Sequence, residues 1–306
     1  MKNLKFVITV FLAMALIAGC NKKPEPEPEP DTTPAQQLSV EETLYTQAVD
    51  EIIRDATRLA FGPPAKSGLE QPCGAKFDST VVTADSIKIY VKFDGNNCRG
   101  TRYRTGRMVI HRRKATPWIK PGTTILTEMI DYQITNLLNN KKLTMNGKAT
   151  MRNVIGGNLA LLGTLYNEII HRHEGRFLIS FPDGTNGQWQ HARQTVHTLQ
   201  NGNLITTVEG YGSADGYTQL SSWGIHRNGK QFYNQTVSPV VISSACADNP
   251  VSGVLKQSIV PDGMSTTITY GFDSNNQPAA AGTCPSRYKL EWQHKNKSGT
   301  LYLPVN

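Results

Sequence analysis

The most extensive pattern in the chain is an alternation of apolar and polar residues that begins near residue 75. In residues 287–293, tyrosine, leucine and tryptophan alternate with arginine, lysine and glutamate. Such alternation is typical of antiparallel strands with one buried and one solvated face. Asp-Gly and Asn-Gly pairs, which favour hairpin turns, separate these segments and begin at Asp94, Asp183, Asn201, Asp215, Asn228 and Asp262. The pattern predicts a mainly β fold, an antiparallel meander of about a dozen strands curled into a sandwich or an open barrel.

One segment before residue 75 has the period of a helix instead. Ser39 followed by Glu42 forms a capping box, which is typical of a helix N-terminus. Gly62, Pro63 and Pro64 mark its end. Between them, apolar residues recur every three or four positions, namely Leu44, Ala48, Ile52, Ala56 and Leu59. We expect one N-terminal helix that packs against the sheet.

The first residues carry the pattern of a secretory signal peptide. Two lysines precede an apolar run, residues 6–18, that is shorter than the roughly 20 residues needed to span a bilayer. The run ends in Leu-Ile-Ala-Gly-Cys, which resembles the lipobox of bacterial lipoproteins. The resemblance implies that residues 1–19 are a signal peptide cleaved after Gly19 and that Cys20 is diacylated through its sulfur. An ordinary signal peptide with an incidental cysteine is the alternative.

The lipobox resemblance also implies a location. A multiply acylated Cys20 would hold the chain on a membrane, because two or more acyl chains give stable anchoring. Asn21 stands where enteric lipoproteins retained at the inner membrane carry aspartate, which favours the outer membrane and leaves its face, periplasmic or cell-surface, open. The Pro-Glu repeats of residues 24–30 favour an extended polyproline II spacer. We therefore expect a lipidated cysteine and spacer over 20–37, and a helix plus antiparallel β-domain over 38–306.

The net charge and the remaining cysteines narrow the picture. The 306-residue chain has a formal charge of +8, and removal of Lys2 and Lys5 leaves +6 (8 − 2). This balance suits acidic partners such as phosphorylated glycolipids or anionic polysaccharide. Four cysteines in an exported chain predict two disulfides with three possible connectivities. The two clusters lie far apart and each closes a β-rich stretch, so we favour the pairs Cys73–Cys98 and Cys246–Cys284.

Several local motifs resemble a group of exported lipoproteins from Bacteroidota. The segment 98–110 (CRGTRYRTGRMVI) matches one of them, and residues 121–125 with 132–136 match a following strand. Smaller matches occur at residues 145–148, at Cys246 with 251–254, and at 270–272 followed by Cys284. The likeness covers most of residues 75–306, with a longer gap before Cys284 that implies an enlarged loop. It implies an envelope location and a β architecture, and nothing about chemistry.

The most unusual local feature is a basic stretch, residues 99–114, that contains no acidic residue. Arginine forks suit phosphate and carboxylate groups, and aromatic rings such as the interleaved Tyr103 and the following Trp118 stack on sugars. The functional interpretation is a patch for lipopolysaccharide phosphates or an acidic glycan, and the preferred interpretation is a solvated strand face that blunts a sheet edge. The candidate ligand-binding residues are Arg99, Arg102, Tyr103, Arg104, Arg107, Arg112 and Arg113.

The sequence offers little support for catalysis, metal binding or cofactors. No nucleophile elbow, phosphate-binding glycine loop or CxxC pair occurs. His171 and His173 would share one face of a strand with Arg172 on the other. Two imidazoles could bind zinc with a third ligand, but two histidines on a solvated sheet face are the preferred interpretation. We predict no catalytic residue, no metal and no cofactor.

Two functions from different classes remain. The first is a non-catalytic, membrane-anchored envelope lipoprotein that binds a partner protein or an anionic glycan, and no nucleic acid. The second is a carrier that holds a lipid or another apolar ligand inside the curled sheet. An enzyme ranks third.

Overall fold

The computed structural model describes residues 33–60, 71–247 and 249–305. One α-helix, α1 (Thr33–Leu59), precedes all the strands in this part of the chain. The strands are β1 (Ala75–Val82), β2 (Ser86–Asn96), β3 (Arg102–Arg113), β4 (Thr124–Asn136), β5 (Lys142–Ile155), β6 (Glu168–Ser180), β7 (Asn186–Gln200), β8 (Asn203–Gly210), β9 (Gly212–Ala214), β10 (Tyr217–Ile225), β11 (Gln231–Ser243), β12 (Asn249–Val260), β13 (Met264–Phe272), β14 (Arg287–His294) and β15 (Lys297–Pro304).

All fifteen strands belong to one antiparallel sheet. The order is β1 to β7, then β10 to β15, with β8 paired to β7 and β11 and β9 paired to β10. The prediction of a mainly β fold with one N-terminal helix packed on the sheet is confirmed. The sheet has more strands than the predicted dozen, in part because of the short strands β8 and β9. These two lie beside the main strand order, where β7 pairs with β10.

The sheet curls around α1, which contacts strands from both halves of the meander. The predicted apolar stripe is confirmed, because its five residues are all buried. The helix begins six residues before the predicted cap, so residues 33–37 belong to it and not to the spacer. The capping-box prediction is wrong. Ser39 is an internal residue of the helix, and its hydroxyl donates to the hydroxyl of Tyr288 at 3.2 Å. The carboxylate of Glu42 accepts from Arg193.

Two apolar clusters fill the concave side of the sheet. The larger one joins α1 to β2 through β7 and includes Phe93, Met108, Ile125, Phe177 and Trp189. The smaller one belongs to the C-terminal strands and centres on a different set, Val208, Ile242, Leu255, Ile268 and Leu290. The helix therefore packs in the interior of the curled sheet.

The covalent and turn predictions are largely confirmed. The disulfides are Cys73–Cys98 and Cys246–Cys284, with Cα–Cα distances of 5.0 and 5.2 Å. Five of the six predicted Asp-Gly and Asn-Gly pairs connect consecutive strands. The exception is Asp94-Gly95, which lies inside β2. A Cβ atom at Gly95 would come within 3.1 Å of the Gly74 backbone, so glycine allows these two segments to approach closely.

The signal peptide, Cys20 and most of the spacer lie outside the described residues. Within the described part of the chain, no helix combines the length and apolar character needed to cross a membrane.

Candidate functional site

The predicted basic patch is divided between the two faces of β3 and its two ends. Arg102 and Arg104 point into the molecule, whereas Tyr103 and Arg107 point outward and are exposed. A bulge between Thr105 and Arg107 then shifts the register against β4. The seven candidate residues therefore do not share one surface, because alternate side chains of a strand face opposite sides.

The two inward arginines bind acidic residues of α1. Arg102 lies 2.5 Å from Glu51, and Arg104 lies 2.6 Å from Asp55 and 3.5 Å from Glu51. Arg104 also donates to the carbonyl of Cys73. Burial raises the pKa of Asp55, and Arg104 opposes that rise. These contacts assign Arg102 and Arg104 to the attachment of the helix, so neither enters the candidate site.

The outward residues of the same stretch are dispersed. The hydroxyl of Tyr103 donates to Asp94 at 2.7 Å, which holds its ring along the sheet surface. Arg99 is exposed in the loop between β2 and β3, and Arg107 is exposed in the middle of β3. Trp118, expected as a stacking surface, is buried, and its indole N–H donates to the carbonyl of Gly157 at 3.0 Å.

The last part of the stretch forms a groove with the loop before β4. Arg112 and Arg113 line it together with His111 and Lys120, and hydroxyl groups come from Thr116, Thr123 and Thr124. Its volume is about 670 Å³. We call this set of residues the basic groove. The buried Trp118 anchors its loop, because Asn153 donates to the Trp118 carbonyl at 2.8 Å.

The basic groove has unbalanced positive charge. Arg112 is half-buried, its Nε atom has no hydrogen-bond partner, and no carboxylate pairs with it among the described residues. Burial lowers its pKa. Burial and then Lys88 lower the pKa of His111, against the opposing effect of Glu128. A desolvated guanidinium without a carboxylate is costly, and an anion bound in the groove would offset that cost through charge-assisted hydrogen bonds.

The histidines lie on the inner face of the sheet. His171 and His173 share one face as predicted, but the prediction that this face is solvated is wrong, because both side chains are buried. His191 and His197 of β7 join them, with ring centroids 5.2 Å apart for His173 and His191 and 5.7 Å apart for His171 and His197. No group of described residues has the arrangement of a metal site.

Burial of these rings has a clear electrostatic effect. Desolvation lowers the pKa of His171 to about 4 and that of His197 to about 3. It also lowers the pKa values of His173 and His191, with a further contribution from the nearby charge of Arg193. Neither ring nitrogen of His173 has a hydrogen-bond partner. All four imidazoles are therefore neutral at pH 7 and closed off from solvent.

Sequence reasoning missed the acidic side of the helix. Glu42 accepts from Arg193 at 3.0 Å and from Ser222 at 2.8 Å, and burial raises its pKa despite Arg193. Glu41 lies 2.7 Å from His226 and 2.6 Å from Arg227. The available signal was the excess of acidic over basic residues on the helix, which implies basic partners elsewhere.

The interior offers little room for a ligand beside these groups. A cavity of about 40 Å³ lies between α1 and the sheet, next to His171 and His197. That volume has room for a few water molecules and is far below the size of an acyl chain.

Comparison of the chain with protein-family models, curated proteins and solved structures found no match in any of the three.

Proposed function

We propose that the chain is a lipid-anchored, non-catalytic envelope protein of the outer membrane whose β-domain binds an anionic glycan in the basic groove. Cys20 would hold it on the membrane. The observation that carries the proposal is the half-buried Arg112, which pairs with no carboxylate of the described residues and faces a groove with Arg113 and Lys120. Guanidinium groups recognise carboxylate and phosphate groups by paired hydrogen bonds.

Other features support a binding role over the alternatives. The four buried imidazoles have no access to a substrate, which argues against acid–base catalysis by them. The helix and two apolar clusters pack on the concave side of the sheet and leave a cavity of only about 40 Å³ beside His171 and His197, which argues against a lipid enclosed there. The groove is wide and open, and its hydroxyl groups suit a sugar chain that carries negative charges.

The double variant Arg112→Ser/Arg113→Ser should bind a polyanionic glycan at least about 100-fold more weakly, since each lost charge-assisted hydrogen bond costs about 1.5 to 3 kcal/mol and two are lost. The measurement is affinity electrophoresis of the full chain on polygalacturonate and on dextran sulfate, with neutral dextran as the blank. Binding of the unchanged protein should fall steeply as the salt concentration is raised to about 0.5 M, because screening shortens the reach of exposed charges.

The matched control is Arg99→Ser/Arg107→Ser. It removes the same charge from the same stretch at exposed positions outside the groove, and we expect its binding to change less than about twofold. If both double variants lost the same affinity, binding would depend on the net charge of the chain and not on the basic groove. No binding of either polyanion would shift the proposal to a protein partner.

A further inference from the structure

A second concave region lies on the outer face of the sheet, on strands that the basic groove does not use. Four residues stand side by side across β6, β7, β10 and β11, because Arg176 pairs with Gln190, Gln190 with Trp223, and Trp223 with Tyr233. Opposite residues in such a ladder have Cβ atoms about 5 Å apart. This row lines a depression of about 280 Å³.

The tryptophan is the unusual member of the row. Its chain neighbour Ser222 points inward to Glu42, so the indole of Trp223 points outward, away from the core, and stays partly exposed. The ring lies against the backbone of β9, where a Cβ atom on Gly212 would come within 2.6 Å of the indole. A partly exposed ring that is already held in place can accept a flat apolar surface with little loss of side-chain freedom.

Polar side chains surround the indole. Gln188, Gln190, Gln231 and Arg176 line the same depression. Within residues 33–60, 71–247 and 249–305, none of the four has a side-chain hydrogen-bond or ion-pair partner. Each glutamine amide offers both donors and an acceptor, so the set matches a ligand with many hydroxyl groups.

An ordered carboxylate forms the rim. Tyr233 donates to Asp215 at 2.5 Å, and this bond raises the pKa of the tyrosine to about 12. Tyr217 stacks on Tyr233, with ring centroids 4.1 Å apart. The carboxylate of Asp215 and the guanidinium of Arg176 line the depression together, one charge of each sign. The lining is therefore balanced in charge, unlike the basic groove, and does not favour a polyanion.

We propose that this region is a saccharide-binding site, which takes a neutral hexose unit of a glycan on the face of Trp223. A pyranose ring has an apolar face that can lie on the indole and a rim of hydroxyl groups for the glutamine amides, Arg176 and Asp215. The volume of about 280 Å³ lies just below the range for drug-sized ligand sites, about 300 to 1,000 Å³, which suits one or two sugar rings. The inference stands independently of the basic groove.

Isothermal titration of the full chain with four neutral hexasaccharides tests the proposal: cellohexaose, maltohexaose, laminarihexaose and mannohexaose. We expect at least one to bind with a Kd below about 1 mM, unchanged between low salt and about 0.5 M salt. Trp223→Ala should weaken that binding at least about tenfold. Gln190→Leu leaves the indole in place and should weaken it about fivefold, since one hydrogen bond contributes about 1 kcal/mol.

Tyr103→Ala is the matched control. Tyr103 is an aromatic residue on the outer face that donates to an aspartate, as Tyr233 does, but it is exposed and lies on β3, away from the depression. Its loss should leave the Kd unchanged. Failure of all four sugars to bind overturns the inference, as does binding that Trp223→Ala and Gln190→Leu leave intact. Salt-sensitive binding that Arg112→Ser/Arg113→Ser removes would assign the sugar to the basic groove and overturn it too.

Discussion

Replacing Arg193 with methionine should lower the free energy of unfolding by about 3 to 5 kcal/mol, because removal of one partner leaves the other charge buried and unpaired. Arg193 and Glu42 are almost fully buried and lie 3.0 Å apart. Arg193 also donates to the carbonyl of Ser221 at 3.1 Å and lies over the ring of Tyr45. The measurement is urea unfolding of the full chain at pH 7, followed by tryptophan fluorescence.

A double-mutant cycle separates the ion pair from packing. Glu42→Leu combined with Arg193→Met removes both charges, and we expect the double variant to be more stable than the two single losses would predict if they simply added. Arg107→Met is the control, because Arg107 is exposed on the outer face of β3, and it should change stability by less than about 0.5 kcal/mol. Additive losses would show that Glu42 and Arg193 do not act as a pair.

Acidification should unfold the protein through its four buried imidazoles. Their pKa values are lowered in the folded state, to about 4 for His171 and about 3 for His197, and the unfolded value is about 6.5. At pH values between the folded and unfolded pKa values, the unfolded chain binds more protons than the folded protein. The free energy of unfolding is therefore highest above about pH 6.5 and falls as the pH is lowered. Each such histidine contributes a slope of about 1.4 kcal/mol per pH unit.

Two buried carboxyl groups act in the opposite direction. Burial raises the pKa values of Glu42 and Asp55, so protonation of these two groups favours the folded state at low pH. The net slope near pH 5 is therefore about 3 to 5 kcal/mol per pH unit. Unfolding free energies measured from pH 7 to 4.5 check this value. His173→Leu should reduce the slope by about 1.4 kcal/mol per pH unit, and an unchanged slope would mean that His173 is protonated in the folded state.

The sequence predicted the elements better than the faces they present. Alternation located the strands, and the disulfide pairs followed from spacing along the chain. Alternation also placed His171 and His173 on one face, but polarity alone assigned that face to solvent. The interior is polar there because α1 places Glu42 and Tyr45 beside β7, where Tyr45 bonds to His191 at 2.7 Å. That contact joins residues 146 positions apart, which no local pattern reports.

The two candidate sites also depend on contacts between distant parts of the chain, which no local pattern reports. The direction of Arg102 and Arg104 depends on Glu51 and Asp55 of α1, about fifty residues earlier in the chain. The row that contains Trp223 depends on the pairing of β7 with β10, which the short strands β8 and β9 separate in sequence. Local motifs in β3 suggested an anionic partner, whereas the glutamine and aromatic row exists only once four strands are assembled.

The enclosed helix has a consequence for how the chain folds. α1 is synthesised before any of the strands that surround it, yet Ser39 contacts Tyr288, 249 residues later. Its buried acids, Glu41 and Glu42, must wait for partners in β7 and the turn after β10. Contacts between such distant residues slow folding, because the loops must close before the contacts form. The contacts of α1 therefore cannot be complete until β14 has been synthesised, so the helix that becomes the centre of the molecule is the first element made and among the last to reach its final surroundings.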